Sequence, residues 1–336
     1  MKSPRGNRGQ VQIFVFLVIV VMLSIWQVAR VSTADDSVLV EDHWAKFAAY
    51  NSSAESALLQ LREFAHQRQL PLPLVASPAK SSVCVGVASA RRKNSPIKYL
   101  RQTLMGLVSR MTKSDNVYIH VFNVDRQPEL HTDVDEIRDL FVVSDVKAKP
   151  AVRMDRKLQE GLDFADILTE MHSWGCPSVL FLEDDALAQE HWVERVHQAV
   201  AGAPKHWFAT RLYVSNPLAS RIVRPGLTDL DQGYNAVAVL FNRERLPSFV
   251  SAIRRAVDAN FQTGDKRHFE AKDVFLTEYA AKVNATVQAF EPPIFQHTGI
   301  FSSIVKRSAF RIGSYMQAPN FASEGVAIRF NPDDWS

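Results

Sequence analysis

Three consecutive carboxylates, Glu183, Asp184 and Asp185, are the side chains of this sequence best suited to chemistry. They directly follow Val179–Leu182, a short apolar run typical of a buried strand in a parallel sheet. Open α/β sheets bind ligands at the carboxyl ends of their strands, and a core does not accept unpaired carboxylates. Three acids at such an end suit a hard divalent cation, which can in turn hold a diphosphate. The alternative is an acidic turn that caps the next helix.

Four further charged or titratable residues stand beside predicted elements. Arg91 and Arg92 follow the first predicted strand, where cationic side chains either meet phosphates or form a solvated basic turn. Asp273 lies in the first turn of a predicted helix, where a carboxylate is normally a cap or a partner of the helix dipole. His297 lies in an irregular polar stretch, where histidine is either structural or a ligand. The residues alone leave these alternatives open.

Strands and helices must alternate to position these side chains. Apolar runs predict strands at 83–88, 117–123, 141–143, 178–182, 207–214 and 235–241, and helical spacing predicts helices at 99–108, 158–171, 244–257 and 271–280. This order predicts right-handed βαβ units and a parallel sheet. Neither Gly-x-Gly-x-x-Gly nor Gly-x-x-x-x-Gly-Lys follows any of these strands, so the sequence does not indicate a dinucleotide or P-loop site.

The composition is that of a globular protein with room for one large or two modest domains. The chain has 336 residues, of which 46% are hydrophobic and 22% charged, and its net charge is +3. No basic block with interleaved aromatic residues occurs, so nucleic acid is not an expected partner. Cys84 and Cys176 are too few for a disulfide scaffold or a zinc site. They either pair with each other or serve as two buried apolar residues.

The N-terminal region predicts a membrane anchor. Residues 11–28 contain no ionisable side chain, and at about 1.5 Å per residue they nearly cross a bilayer core of about 30 Å. Three basic residues precede this span, so the positive-inside rule places the N-terminus in the cytoplasm and the rest of the chain in the lumen. Signal-peptide cleavage near residues 32–34 is the alternative. Sequons at Asn51 and Asn284 are compatible with a lumenal location.

The predicted organisation follows from these segments. Apolar residues at helical spacing over 40–69 predict one or two stem helices, which can also pack on the globular part, and prolines at 71, 73 and 78 then form a linker. We therefore predict a cytoplasmic tail at 1–10, a transmembrane anchor at 11–29, a lumenal stem and linker at 30–80, a catalytic domain at 81–308 and a C-terminal tail at 309–336.

Six segments occur in an order that matches a known family: Ala88–Arg92, Phe122–Arg126, Leu182–Ala186, Arg211–Tyr213, Lys272-Asp273 and Phe295–Ser303. Over roughly residues 83–305 the chain resembles GT-A glycosyltransferases. It is most similar to the family that adds N-acetylgalactosamine to the GPI-anchor glycan in the Golgi, and more distantly to type IV N-acetylglucosaminyltransferases, which branch N-glycans. The resemblance implies a GT-A fold, which is a Rossmann-like α/β fold whose mostly parallel sheet is flanked by helices.

The chain departs from the GPI-modifying family in one segment. That family typically carries a transmembrane hairpin after the stretch that resembles Arg211–Tyr213. Here residues 215–235 contain prolines and four charged side chains, so they cannot span a bilayer. The resemblance therefore leaves the acceptor open between a GPI anchor and an N-glycan.

The resemblance implies a Golgi type II membrane enzyme that transfers an N-acetylhexosamine from a UDP-sugar to a glycan with inversion. It implies that Asp185 holds Mn²⁺, or another divalent cation, against the donor diphosphate, and that His297 is a distal ligand or phosphate partner. It also implies that Asp273 is the general base that deprotonates the acceptor hydroxyl. The implied cofactor-binding residues are Arg91, Arg92, Glu183 and Asp184. A catalytically inactive lumenal lectin or scaffold is the alternative from another class.

Overall fold

The computed structural model describes residues 49, 51–67, 77–92, 98–146, 155–213, 220–224, 227–230, 236–265 and 267–298. All of them belong to one compact unit, residues 48–336. The predicted tails at 1–10 and 309–336 and the predicted anchor at 11–29 lie outside these residues. Within the described ranges, no helix combines the length and the apolar character needed to cross a bilayer.

The described residues form seven α-helices and eleven strands, as follows. The helices are α1 (51–67), α2 (Tyr99–Val108), α3 (Thr132–Asp135), α4 (Arg156–Ser173), α5 (Trp192–Ala201), α6 (Leu246–Thr263) and α7 (Lys272–Lys282). The strands are β1 (Val83–Ser89), β2 (Val117–Asn123), β3 (Val142–Asp145), β4 (Ser178–Glu183), β5 (Ala186–Ala188), β6 (Trp207–Arg211), β7 (Ser220–Arg224), β8 (Leu227–Leu230), β9 (Ala238–Asn242), β10 (Thr286–Phe290) and β11 (Phe295–His297).

One mixed sheet organises the described part of the chain, in the order β3-β2-β1-β4-β9-β6-β10-β8-β7. The strands β3, β2, β1 and β4 run parallel, which confirms the predicted α/β class and the parallel sheet around the acidic triplet. The other half differs from the prediction, because β9 runs antiparallel to both β4 and β6. A strand buried on both faces is apolar throughout in either direction, so its sequence does not reveal the direction.

The helices cover both faces of this sheet. Along β4, Leu180 and Leu182 pack into the cluster that contains α1, α2 and α5, whereas Val179 and Phe181 pack into the cluster that contains α4, α6 and α7. Alternation of side chains along a strand produces this division. The same alternation directs the first two acids after Leu182 toward opposite faces.

Helix α1, which the sequence analysis assigned to the stem, is built into the core. Its residues Ala54, Ala57, Leu58 and Leu61 are buried in one cluster with residues of α2. At the edge of this contact, Arg62 Nε donates to Asp139 Oδ2 at 2.9 Å. The predicted packing of a stem helix on the globular part is therefore present in the structure.

A disulfide joins Cys84 of β1 to Cys176, with a Cα–Cα distance of 5.9 Å. Because β1 and β4 are paired neighbours, with Val83 opposite Ser178, the bond fastens the start of the strand that ends in the acidic triplet. Of the two alternatives for the cysteines, the structure shows the pair.

Candidate functional site

The end of β4 separates the three carboxylates. Glu183 points toward the face covered by α4 and α7, where its Oε1 lies 2.6 Å from Lys272 Nζ. Asp184 points toward β1, where its Oδ2 accepts from Ser89 Oγ at 2.7 Å. Asp185 is almost fully buried and faces His297. The three carboxylates therefore lie in three different environments and do not form one acidic patch.

A small two-stranded sheet brings His297 to Asp185. Strands β5 and β11 pair antiparallel with Ala186 opposite His297, which places this histidine beside the acid that precedes β5. The Thr298 backbone N–H donates to the Asp185 carbonyl at 2.8 Å, and its Oγ1 donates at 3.0 Å. His297 Nε2 consequently lies 3.1 Å from Asp185 Oδ2, although 112 positions separate the two residues.

Arg92 lies across two of the acids. Its Nη2 is 2.5 Å from Asp184 Oδ1 and 2.6 Å from Asp185 Oδ2, and all three side chains are nearly excluded from solvent. The guanidinium carbon is 4.3 Å from the centroid of the Tyr99 ring, a cation–π arrangement. The Arg91 side chain points elsewhere, since its Nε lies 3.7 Å from Asp125 Oδ2 and its Nη2 donates to Gln127 Oε1 at 3.3 Å, both on the loop after β2.

Asp184 is anchored from behind. Besides the bond from Ser89, its backbone carbonyl accepts from Thr103 Oγ1 of α2 at 2.7 Å. Ser89 Oγ also lies 2.9 Å from His131 Nε2, and both of these residues are buried. This chain of contacts fixes the orientation of Asp184 and thereby of its partner Arg92.

Lys272, the first residue of α7, connects three elements. Its ammonium contacts Glu160 Oε1 of α4 and Glu183 Oε1 of β4, each at 2.6 Å. Burial works to lower the pKa of Lys272, but the charges of the two glutamates outweigh burial and raise that pKa, so the ammonium stays charged. Lys272 therefore ties the acidic strand end to the helix that begins with Asp273.

Asp273 lies next to this contact in the first turn of α7. Its Oδ1 accepts from the Val274 backbone N–H at 3.0 Å. Its carbonyl accepts from Nη2 of the buried Arg211 at 3.3 Å, and the same nitrogen donates to Thr277 Oγ1 at 2.6 Å. Within the described residues, no ion pair joins Asp273 directly to the triplet, and its neighbour Lys272 provides the link to Glu183.

The electrostatics keep Asp185 ionised. Burial would raise the pKa of Asp185, but the charges of Arg92 and His297 outweigh it and hold that pKa well below its usual range. Burial works to lower the pKa of His297, while Asp185 raises it, and the net pKa is raised. Burial together with the Asp185 charge raises the pKa of Tyr213, whose ring lies 5.8 Å from the His297 ring, to about 12.

A divalent cation fits this site. Glu183, Asp185 and His297 each offer one ligand atom, and these atoms lie within 4.8 Å of one another. Asp185 Oδ1 is buried and has no hydrogen-bond partner among the described residues. Oxygen donors with one imidazole suit a divalent cation that must also bind phosphate, and His297 must release a proton from Nε2 to coordinate it.

The net charge of the surrounding side chains also favours a divalent cation. The surrounding network contains four carboxylates and two permanently charged cations, so two negative charges remain when His297 is neutral and the acids are ionised. One divalent cation would neutralise them. The members of this network are Glu160, Glu183, Asp184, Asp185, Arg92 and Lys272.

The chain has only distant similarity to known proteins. No family model and no curated protein sequence matches the chain. Among solved structures, it is similar to the glycosyltransferase GlyE of Streptococcus pneumoniae, with 12% identity and a TM-score of 0.38 over 63% of this chain and 45% of GlyE. It is also similar to the apo form of mouse xyloside xylosyltransferase 1, with 12% identity and a TM-score of 0.35 over 61% of this chain and 77% of that one. Values this low assign neither fold nor function.

Several residues of the site have no distinguishing signal in the sequence. Lys272 is one lysine in a helix start, and Ser89, Tyr99 and His131 belong to ordinary strand, helix and loop sequences. The roles of Lys272, Ser89 and His131 depend on contacts between distant positions, such as Ser89 with His131, whereas Tyr99 contacts the nearby Arg92. The one available signal was the clustering of charged residues at element ends, which singled out Arg92 as well as the acids.

We expect Lys272→Met to destabilise the protein. Removing the ammonium leaves Glu160 and Glu183 facing each other without a counter-charge, and breaking a buried ion pair in this way costs about 3–5 kcal/mol. Urea unfolding followed by circular dichroism measures the loss. Lys272→Arg retains the charge and serves as the control, with a smaller loss. Equal stability of Lys272→Met and the unmodified protein would show that the ion-pair network contributes nothing to folding.

Proposed function

We propose that this protein is a metal-dependent glycosyltransferase that transfers an N-acetylhexosamine from a UDP-sugar to a glycan with inversion of the anomeric centre. The observation that carries the proposal is the approach of His297 to Asp185 at the tip of β4, with Glu183 completing a group of three potential ligands. A nucleotide diphosphate held by a cation at the carboxyl end of a parallel strand accords with where such sheets bind ligands.

The cation, for which we propose Mn²⁺, would be held by Asp185, Glu183 and His297. When bound, it supplies a positive charge that stabilises the diphosphate as the leaving group. Arg92 is placed to bind the donor phosphates from the β1 side, as a guanidinium matches phosphate oxygens in pairs. Tyr213 packs beside His297, with 5.8 Å between the ring centroids.

Asp273 is proposed as the general base. An inverting transferase requires one group that removes the proton from the acceptor hydroxyl and requires no covalent nucleophile. Asp273 stands at the start of α7, and its neighbour Lys272 contacts Glu183 of the proposed cation site. Arg211 fixes the backbone of Asp273 from β6 and thus supports the position of its carboxylate.

The proposed acceptor is the GPI-anchor glycan, and the proposed location is the Golgi lumen, with the predicted segment at 11–29 as a single membrane anchor. The resemblance of the sequence to the GPI-modifying family supports this choice. In place of that family's hairpin, the chain has β7 and β8, which pair antiparallel at the edge of the main sheet. An anchored acceptor would then be reached without a second membrane-embedded segment.

The decisive experiment uses the full-length protein purified in detergent. We expect UDP release from UDP-GalNAc that requires Mn²⁺ and increases when a GPI glycan is added. Glu194→Gln, an exposed position on α5, serves as a control that should behave like the unmodified protein. Preference for UDP-GlcNAc with an N-glycan acceptor would favour the type IV N-acetylglucosaminyltransferase alternative. Glycan binding without hydrolysis or transfer from either donor would identify a lectin instead.

A further inference from the structure

The position of Arg92 has a consequence for cation binding. A single nitrogen of its guanidinium, Nη2, lies within hydrogen-bond distance of both Asp184 and Asp185. The arginine is thus shared between one acid of the proposed ligand group and one acid outside that group.

Asp184 is a dedicated partner of Arg92. Its Oδ1 accepts from Arg92 and its Oδ2 from Ser89, so each carboxylate oxygen already has a donor. Thr103 additionally holds the Asp184 carbonyl. Nothing in this arrangement requires Asp184 to change when a cation binds nearby, and it can keep the arginine in the site.

Arg92, His297 and a bound cation would all compete for the carboxylate of Asp185. Its Oδ2 is shared by Arg92 at 2.6 Å and His297 at 3.1 Å, while its buried Oδ1 has no hydrogen-bond partner among the described residues. A cation coordinated by Asp185 would lie within a few ångströms of the guanidinium. Like charges so close together in a buried site repel each other strongly.

We infer that Arg92 is the internal counter-ion of the cation site. Without a cation it neutralises Asp185, and its positive charge weakens cation binding. Once a cation is coordinated by Asp185, Arg92 binds the donor diphosphate instead. This inference rests on the proposed function and adds to it an order of binding, cation before nucleotide. Asp184 and the Tyr99 ring retain the guanidinium at the site throughout the exchange.

The test measures Mn²⁺ binding directly, by electron paramagnetic resonance of free Mn²⁺ in titrations of the full-length protein in detergent. We expect Arg92→Gln to bind Mn²⁺ about tenfold more tightly than the unmodified protein or better, because the repelling charge is gone. In the presence of saturating Mn²⁺, the same variant should bind UDP at least about tenfold more weakly, because a charge-assisted partner of the diphosphate is lost. A merely structural arginine would not move these two affinities in opposite directions.

A second pair of variants covers the case in which Arg92→Gln fails to fold with two adjacent unpaired acids. Asp184→Asn removes one of these acids, and the double variant Asp184→Asn with Arg92→Gln then removes the arginine without leaving Asp184 charged. We expect the double variant to bind Mn²⁺ more tightly than Asp184→Asn alone. Equal or weaker Mn²⁺ binding after removal of Arg92, in whichever background folds, would overturn the inference.

The outcomes separate the two proposals. If the unmodified protein binds Mn²⁺ and the loss of Arg92 does not tighten binding, the inference fails while the proposed function stands. If no variant binds Mn²⁺, both the inference and the metal-dependent function fail. If only variants without Arg92 bind Mn²⁺, the competition is confirmed and the metal dependence of the proposed function fails.

Discussion

Asp185→Asn should abolish Mn²⁺ binding and reduce sugar transfer by about three orders of magnitude or more. A cation that stabilises a leaving phosphate is worth several kcal/mol, and each 1.4 kcal/mol or so is tenfold in rate. The change is isosteric, so the bonds from Thr298 to the Asp185 backbone carbonyl remain and the small β5–β11 sheet is preserved.

The measurement combines a Mn²⁺ titration with the rate of UDP release at saturating donor. Thermal unfolding should show a folded protein, which separates loss of the cation from loss of structure. Transfer at the unmodified rate with unchanged dependence on Mn²⁺ would remove Asp185 from the proposed role.

Asp273→Asn should lower the turnover number by about 10²–10⁴, the usual contribution of a general base, while the affinity for the UDP-sugar stays unchanged. Asparagine can still accept the bond from the Val274 backbone N–H, so the first turn of α7 is retained. Donor affinity from a binding titration and turnover from single-donor kinetics separate the two effects.

Glu278→Gln is the matched control for this change, because Glu278 is an exposed carboxylate on the same helix. Glu278→Gln should leave both the turnover number and the affinity for the UDP-sugar unchanged. Normal turnover of Asp273→Asn would exclude this residue as the base. A parallel loss of donor affinity would instead indicate that Asp273 acts on the donor side of the site.

Local patterns predict the parallel half of the sheet, which carries the acidic triplet and Arg92. The apolar runs that become β1, β2 and β4 are short, buried and bounded by polar residues, and the helical spacing before Val108 predicts α2. The charged residues at the ends of these elements were identified for the same reason, since a buried strand cannot end in acids without partners. The α/β class therefore follows from the sequence alone.

Long-range contacts explain what local patterns could not predict. The antiparallel β9 has the apolar character of a parallel core strand, and β5 and β11 have only three residues each. The two 2.6 Å contacts of Lys272 and the sharing of Arg92 between Asp184 and Asp185 arise only once the sheet is assembled. Such contacts depend on three-dimensional proximity, which periodicity does not encode.

Helix α1 has a practical consequence for anyone who produces this protein recombinantly. The prolines at 71 and 73 suggest a natural start for a truncated recombinant fragment. A fragment that starts there would lack the buried residues Ala54, Leu58 and Leu61 of α1. Their removal would uncover an apolar stripe on α2, and a stripe of that kind promotes aggregation. A usable fragment has to include the whole of α1.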